Sequence, residues 1–199
     1  KKAFEIVRSE EPIERWIIFR TNHGTDEHFQ RVNSIKNVKP YHPVIVQGIV
    51  SDKPRTIPGR HVIFSIEDES GRVDCAAYEP TGELRRVAKL LKPGDLIEAI
   101  GGVRPPSSTT PLTINLEKIR VLKLAPDIIL QNPICPKCGK RMKSMGKNKG
   151  FKCKKCSFRS SKLRKITLEI ERQLKPGLYV TSPRSQRHLT KPLLRYGME

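Results

Sequence analysis

Carboxylates are scarce in the last third of this 199-residue chain. Residues 131–199 hold 19 Lys and Arg against 3 Asp and Glu, whereas residues 1–130 hold 20 against 17. A solubility device would spread such an excess evenly; an excess gathered at one end is the footprint of a polyanionic partner. Long apolar runs are missing too. None approaches the ~20 residues of a membrane span, no signal-peptide pattern opens the chain, and the basic amphipathic helix of a membrane-surface binder is absent. These absences point to nucleic acid rather than a membrane as partner, and to the cytoplasm as compartment. Hydrophobic residues make up 36% and aromatics 6%, so any cores are expected to be modest and divided between small units. A phosphate-cradling loop is also lacking, because Gly101-Gly102 and Pro58-Gly59 are isolated turn signals. The opening KKAFEIVRSEEP carries no initiator Met and reads as part of a longer protein.

Cysteine is present where it counts. Cys135 and Cys138 form one C-x-x-C pair, Cys153 and Cys156 a second, and fourteen residues separate the two. Each pair can wrap one side of an ion, and two pairs complete a tetrahedron of thiolates around zinc. Disulfides are disfavoured in a reducing compartment, and a redox C-x-x-C would open a helix of a βαβ unit, which is not seen here. Gly139 and Ser157 suit the tight turns that follow each pair, and Phe151 and Phe158 can cover the metal. Residues 134–159 also carry ten Lys and Arg and no carboxylate. Four thiolates on a divalent ion leave a net charge of −2, which cannot account for all ten. Lys143, Lys147, Lys149, Lys152, Lys154 and Lys155 are therefore candidate phosphate contacts on a hairpin held stiff by the metal. The fifth cysteine, Cys75, lies in the apolar run VDCAAY and reads as a small buried hydrophobe.

Residues 43–126 read as short strands broken by turns. Strands are expected at 43–50, in a hairpin over 61–78, at 95–103 and at 111–124, with a helical pattern over 80–91 ended by Pro93-Gly94. Three strands, a helix and two strands is the order of an OB-fold, which binds single strands on its second and third strands and in the flanking loops. Arg55, Arg60, His61, Arg72 and Tyr78 fall on or beside that face. Glu67, Asp68 and Glu69 lead into the hairpin turn and read as solvated.

At the N-terminal side, an apolar strand over 16–19 breaks into the polar loop Arg20-Thr21-Asn22-His23-Gly24-Thr25-Asp26. Such a loop can place hydrogen-bonding groups at a pocket mouth, or cap a short helix at 26–31. The C-terminal stretch 166–199 is basic, with Arg187, His188 and Lys191, yet too apolar for simple disorder. It reads as an arm packing on another domain.

Taken together, FRTNHGTDEH, HVIFSIEDESGRVDCAAYEPTGELR, the CPKC and CKKC pairs and the terminal RHLTKPL resemble the C-terminal half of the archaeal tRNA agmatinylcytidine synthetases, in matching order over nearly the whole chain. The resemblance implies a larger enzyme that uses ATP, with magnesium, to attach agmatine to the wobble cytidine of the minor isoleucine tRNA. The fold implied is mainly β with short helices: residues 1–42 end an α+β ferredoxin-like domain, 43–126 form an OB-fold barrel, 127–165 a zinc ribbon and 166–199 a basic arm. It carries the four cysteines over as zinc ligands. It also places Arg20, Thr21, Asn22, Gly24, Thr25 and Asp26 near agmatine and cytidine, although this chain has His23 where the family often has Gln. Asp26 is a candidate partner for agmatine's guanidinium. No segment matches the family's kinase-like domain, so chemistry by this chain alone is not expected. The rival readings are a generic single-strand-binding protein and a structural module of a larger assembly.

Overall fold

The computed structural model describes residues 6, 14–15 and 17–197. They fall into two compact units, one of residues 29–186 and one that joins the chain's beginning to residues 187–199. Trp16 lies outside the described residues. Its neighbours Ile17, Ile18 and Phe19 form no strand and are 72%, 76% and 74% exposed.

The larger unit is built on a closed barrel. Strands β1 (Gln30–Val32), β2 (Pro43–Val50), β3 (Arg55–Thr56), β4 (Val62–Asp68) and β5 (Gly71–Ala77) precede the helix α1 (Glu83–Leu90); β6 (Leu96–Arg104) and β7 (Thr113–Lys123) follow it. Alternation explains the strands: Val44, Val46 and Val50, then Val62, Phe64 and Ile66, then Val73, Cys75 and Ala77 all point into one core. The helix buries Leu84, Val87 and Ala88 against that core, at the i, i+3, i+4 spacing of one helical face. It begins two residues after a short 3-10 turn (Glu79–Thr81), so the helical pattern of 80–91 splits in two at Gly82.

Closure depends on two strands that are paired along both edges. β2 pairs with β6 over most of its length and with β4 at Ile49 and Val50, while β7 pairs antiparallel with β6 and parallel with β5. Two glycines, Gly48 on β2 and Gly101 on β6, allow the close strand approach this requires. A Cβ on Gly48 would lie 3.0 Å from the Ile66 Cβ, and one on Gly101, beside the β6–β7 bulge, only 2.0 Å from the Asn115 carbonyl oxygen. Burial pushes the Cys75 thiol up, which suits an inert core residue.

Three sequence expectations change here. The segment 26–31 forms no helix: Gln30–Val32 adds to the barrel as a parallel strand on β2, and Glu98 holds Arg31 at 2.5 Å and Arg120 at 3.0 Å. A parallel edge already offering backbone groups outweighs the local turn-and-helix signal. The stretch 166–199 is not one arm. Residues 166–170 pair with the chain before the ribbon, Gly177–Val180 adds a further strand to β7, and Leu174 enters the barrel core. Asp68 is not merely solvated. Its Oδ1 accepts the Ser70 and Gly71 N–H groups at 2.7 and 3.1 Å and its Oδ2 the Ile35 N–H at 2.8 Å.

The Ser70 hydroxyl, followed by those backbone donors, holds the Asp68 carboxyl below its ordinary value of 3.8. A depressed carboxyl contributes stability that is complete above the unfolded-state pKa and is lost as pH falls through the folded one. Urea titrations should therefore show the wild type losing its advantage over Asp68→Asn as pH drops below about 4; an advantage independent of pH would contradict this role. A second test concerns the fully buried Asp95, which is ion-paired with Arg172. Arg172→Ala strands that charge and should cost about 3–5 kcal/mol in the same assay.

Candidate metal centre and nucleic-acid interface

Past the barrel, β8 (Asp127–Gln131) and β12 (Ile166–Ile170) form a two-stranded antiparallel stalk. The stalk carries a small sheet of β9 (Lys143–Ser144), β10 (Phe151–Lys152) and β11 (Arg159–Ser160), in the order β11-β10-β9. The ribbon thus extends to residue 170, five positions beyond the boundary expected from the sequence.

The two cysteine pairs converge. Their four sulfurs lie within 4.8 Å of one another, with Cys135 and Cys156 at 3.5 Å and Cys138 and Cys153 at 3.4 Å. Zinc–sulfur bonds of about 2.3 Å set tetrahedral sulfurs ~3.8 Å apart, so the set fits a zinc ion. The turns are those the sequence anticipated: Gly139 and Ser157, each following a pair, take φ of 69° and 58°. Each knuckle is closed by backbone bonds, Gly139 N–H to the Cys135 carbonyl and Cys153 N–H to the Phe158 carbonyl, at 2.9 and 2.8 Å. The Cys156 N–H, aided by the Cys138 thiol and the Lys155 N–H, pulls the Cys153 thiol down to about 6. Against the pull of the Phe158 N–H, desolvation and the neighbouring Cys135, Cys138 and Cys153 thiols push the Cys156 thiol up to about 12; four sulfurs this close become thiolates together only with a cation among them. Met142 and Phe151 are buried beside the sulfurs, with Phe158 and Leu163 packed against them. Four protein ligands leave no open position, so the metal's role is structural.

The lysines named from sequence surround this core. Lys143 and Lys152 lie on β9 and β10, Lys147 and Lys149 at the tip between them, and Lys154 and Lys155 in the second knuckle. Lys152 is half-buried and the others are exposed. No Asp or Glu occurs between residues 132 and 165 to neutralise them.

On the barrel, the expected contacts form two groups. His61 and Tyr78 meet edge to face at 5.1 Å; the His61 Nδ1 accepts the Glu79 N–H at 3.0 Å, and the Tyr78 hydroxyl donates to the Asn115 Oδ1 at 3.1 Å. Arg60 stands 3.9 Å from Glu79. Arg55 lines a cleft of 360 Å³ with Lys53 and Asp52. Arg72 lies beside that cleft but is engaged by Asp52 and donates to the Ser65 hydroxyl at 3.0 Å, so its charge is already answered. Asn115, which fixes Tyr78, was missed; its only sequence signal is an amide within the apolar alternation of β7.

The smaller unit brings together two segments that the sequence treated separately. The Gly24 and Asp26 N–H groups donate to the His188 and Leu189 carbonyls at 2.9 and 3.0 Å, and the His23 and His188 rings stack at 6.1 Å. The Asp26 carboxylate accepts the Lys191 N–H at 2.7 Å and the Tyr196 hydroxyl at 2.5 Å. Arg195 reaches the His23 and Gly24 carbonyls at 3.3 and 3.4 Å. Thr25 braces the loop through the Asn22 carbonyl at 2.7 Å, and Thr21 through the His23 N–H at 3.4 Å. Arg20 and Asn22 are exposed. Arg187 begins the arm, and its carbonyl accepts the Thr190 N–H at 3.0 Å. Tyr196 and Arg195 carry no motif of their own, and only the shared loop reveals their part.

Residues 132–174 match the family described as the TiaS C-terminal zinc ribbon domain, and residues 44–122 match the OB-fold nucleic acid binding domain. The tRNA 2-agmatinylcytidine synthetase TiaS of Staphylothermus marinus is 48% identical over 100% of this chain and 43% of its own length, and that of Methanosarcina mazei 46% over 98% and 44%. This chain matches the C-terminal part of these synthetases. It spans less than half the length of the relatives it matches. Among solved structures, the complex of TiaS with its isoleucine tRNA and ATP aligns over 98% of this chain and 43% of its own, at 41% identity and a TM-score of 0.73. The complex with the same tRNA, AMPCPP and agmatine aligns over 98% and 42%, at 38% identity and a TM-score of 0.68. Among the described residues no helix is long and apolar enough to cross a membrane.

Elemental analysis of protein purified without chelator should find one zinc per chain. Cys138→Ser should lose it and unfold the ribbon while the barrel stays folded, because structural zinc supplies on the order of 10–16 kcal/mol, largely as folding energy. Metal-free protein with an ordered ribbon would refute the assignment.

Proposed function

We propose that this chain is the tRNA-gripping C-terminal part of an ATP-dependent ligase that attaches agmatine to the wobble cytidine of the CAU-anticodon isoleucine tRNA, in the cytoplasm. The observation that carries this reading is the match over the whole chain, at 38–48% identity, to synthetases of that activity. The geometry agrees with it: a barrel of the single-strand-binding type is joined to a ribbon with a zinc-type cysteine site, whose cations have no carboxylate partner among the described residues. The resemblance implies that residues 1–42 end a ferredoxin-like domain; since residues 29–42 cluster with the barrel, the residues before Phe29 are the ones left for it.

Coupling an amine to cytidine requires activation of an oxygen on the base, and ATP with magnesium would supply that activation in the upstream half. Stabilising a transferring phosphoryl group calls for cationic or metal clamps around a positioned nucleotide. This chain's part is to hold the tRNA and to present the loop from Arg20 to Asp26 on the agmatine and cytidine side. Because both Asp26 oxygens are occupied by the arm, Asp26 acts as a positioning residue that keeps the loop in place. Arg187, His188 and Lys191 would bring the arm's cations to the same RNA.

Incubated with ATP, agmatine and the isoleucine tRNA, this chain alone should form no modified cytidine. Adding the upstream half should restore product, and Asp26→Ala should lower it by an order of magnitude or more, with Tyr196→Phe intermediate. Product from the chain alone would overturn the division of labour. In competition, folded tRNA should displace oligo-dT; the reverse preference would favour a generic single-strand binder.

A further inference from the structure

The ribbon's small sheet is sided by charge. In β9, β10 and β11 the directly opposite residues are Lys143 with Lys152 and Lys152 with Arg159 in one row, and Ser144 with Phe151 and Phe151 with Ser160 in the next. Residues directly opposite one another project from the same face, and successive rows from opposite faces. Phe151 is 8% exposed and packs with Met142 and Cys153, so its row faces the metal. The row of Lys143, Lys152 and Arg159 therefore faces away from it. Lys154 follows just beyond the end of β10; its side chain comes within hydrogen-bonding reach of the Lys143 amine, which puts it beside this outer face, and that contact and its positive charge hold the Lys143 pKa below its ordinary value.

Such an arrangement opposes folding. Neighbouring strands are about 4.8 Å apart, well inside a Debye length of about 8 Å at physiological salt, and like charges directly opposite across a sheet are destabilising. Nothing local offsets them: residues 132–165 contain no carboxylate, and the thiolate charge lies on the other face. A ligand that supplies closely spaced negative charge is the missing counterpart. No aromatic shares the row, since Phe151 and Phe158 belong to the metal-side cluster, so this face offers nothing for a base to stack on.

We infer that the outer face of the ribbon sheet, through Lys143, Lys152, Lys154 and Arg159, seats the phosphodiester backbone of RNA, while the tip lysines Lys147 and Lys149 stay clear of it. The inference rests on the tRNA reading above and narrows it to one face, adding Arg159, which the spacing of lysines alone did not single out.

The test uses the zinc-loaded full chain and an unmodified transcript of the CAU-anticodon isoleucine tRNA, with affinity measured across a salt series. Lys152→Gln with Arg159→Gln removes two charges from the row, and Lys147→Gln with Lys149→Gln removes two from the tip. Each phosphate no longer neutralised lowers the salt slope by roughly 0.7–0.9. The row variant should lower it by roughly 1.4–1.8 and weaken binding without changing sequence preference, and the tip variant should leave it unchanged. Equal reductions in both variants, or none in the row variant, would overturn the inference while the tRNA reading stands. No salt-dependent binding by the wild type would overturn both. Should the row variant fail to retain zinc, Lys143→Gln with Arg159→Gln answers the same question from the two outer strands.

Discussion

One buried carboxylate organises the larger unit. The Asp95 Oδ2 accepts the Lys92 N–H at 2.8 Å, its Oδ1 accepts the Ala125 N–H at 2.8 Å, and both Arg172 terminal nitrogens close on the pair. Arg172 in turn donates to the Ala125 and Leu90 carbonyls at 3.2 and 2.7 Å. The end of α1, the end of β7 and the chain returning from the ribbon are thus held at a single point. The ribbon is in effect a loop inserted between residues 125 and 172, with both of its ends tied there. Lys92 adds an ion pair to Asp127 at the foot of the stalk. A buried ion pair contributes little net stability compared with an apolar replacement. What it supplies here is position: a guanidinium with five fixed donors defines where the stalk leaves the barrel.

That anchoring matters because the ribbon has almost no core of its own. Cys135, Met142, Phe151 and Cys153 are its buried hydrophobic residues among those described, far too few to offset the entropy of ordering the segment. Metal coordination replaces the missing burial, so the ribbon is ordered from one end by zinc and from the other by Asp95. Between them the stalk leaves Ile128, Leu130, Ile166, Leu168 and Ile170 substantially exposed. Cross-strand hydrogen bonds hold this stretch rather than an apolar interior.

These interactions differ in how far they can be read from sequence. The barrel strands follow from alternation, and the zinc site from two pairs of cysteines at a spacing that few other chemistries require; both signals are local. The Asp95–Arg172 pair joins residues 77 positions apart, and no local pattern marks either as buried. The same holds for Ile166–Ile170, whose composition fits a tail until its partner β8 is known. Asp68 looked solvated because it sits in an acidic run, and only the turn geometry shows that its oxygens are filled. Asp26 shows the same dependence: an aspartate in a polar loop invites a cationic ligand, and only the fold shows that the arm returning from residue 188 also supplies it with donors. Acidic residues were the least legible class, because a carboxylate's role depends on which donors the fold delivers to it.

The same distinction separates the cations of the barrel from those of the ribbon. Arg31 and Arg120 share Glu98, Arg60 approaches Glu79 and Arg72 meets Asp52. At distances beyond a Debye length the barrel is therefore nearly neutral, so in the proposed role it would recognise RNA at contact range, through groups such as His61, Tyr78 and Asn115. Among the described residues the ribbon's cations have no such partner, and their field reaches into solvent as far as screening allows. Attraction over distance and discrimination at contact are thereby assigned to different parts of one unit. Under the proposed tRNA-gripping role, the ribbon would raise the local concentration of the polyanion, and the barrel would then select among the single-stranded segments brought to it. For this sequence of events the two parts must keep a fixed relation, which is set at the foot of the stalk. In that role a stiff linkage would keep the ribbon's cations in register with the barrel, and the bonds of Asp95 and Arg172 are the ones that tie the foot of the stalk to it.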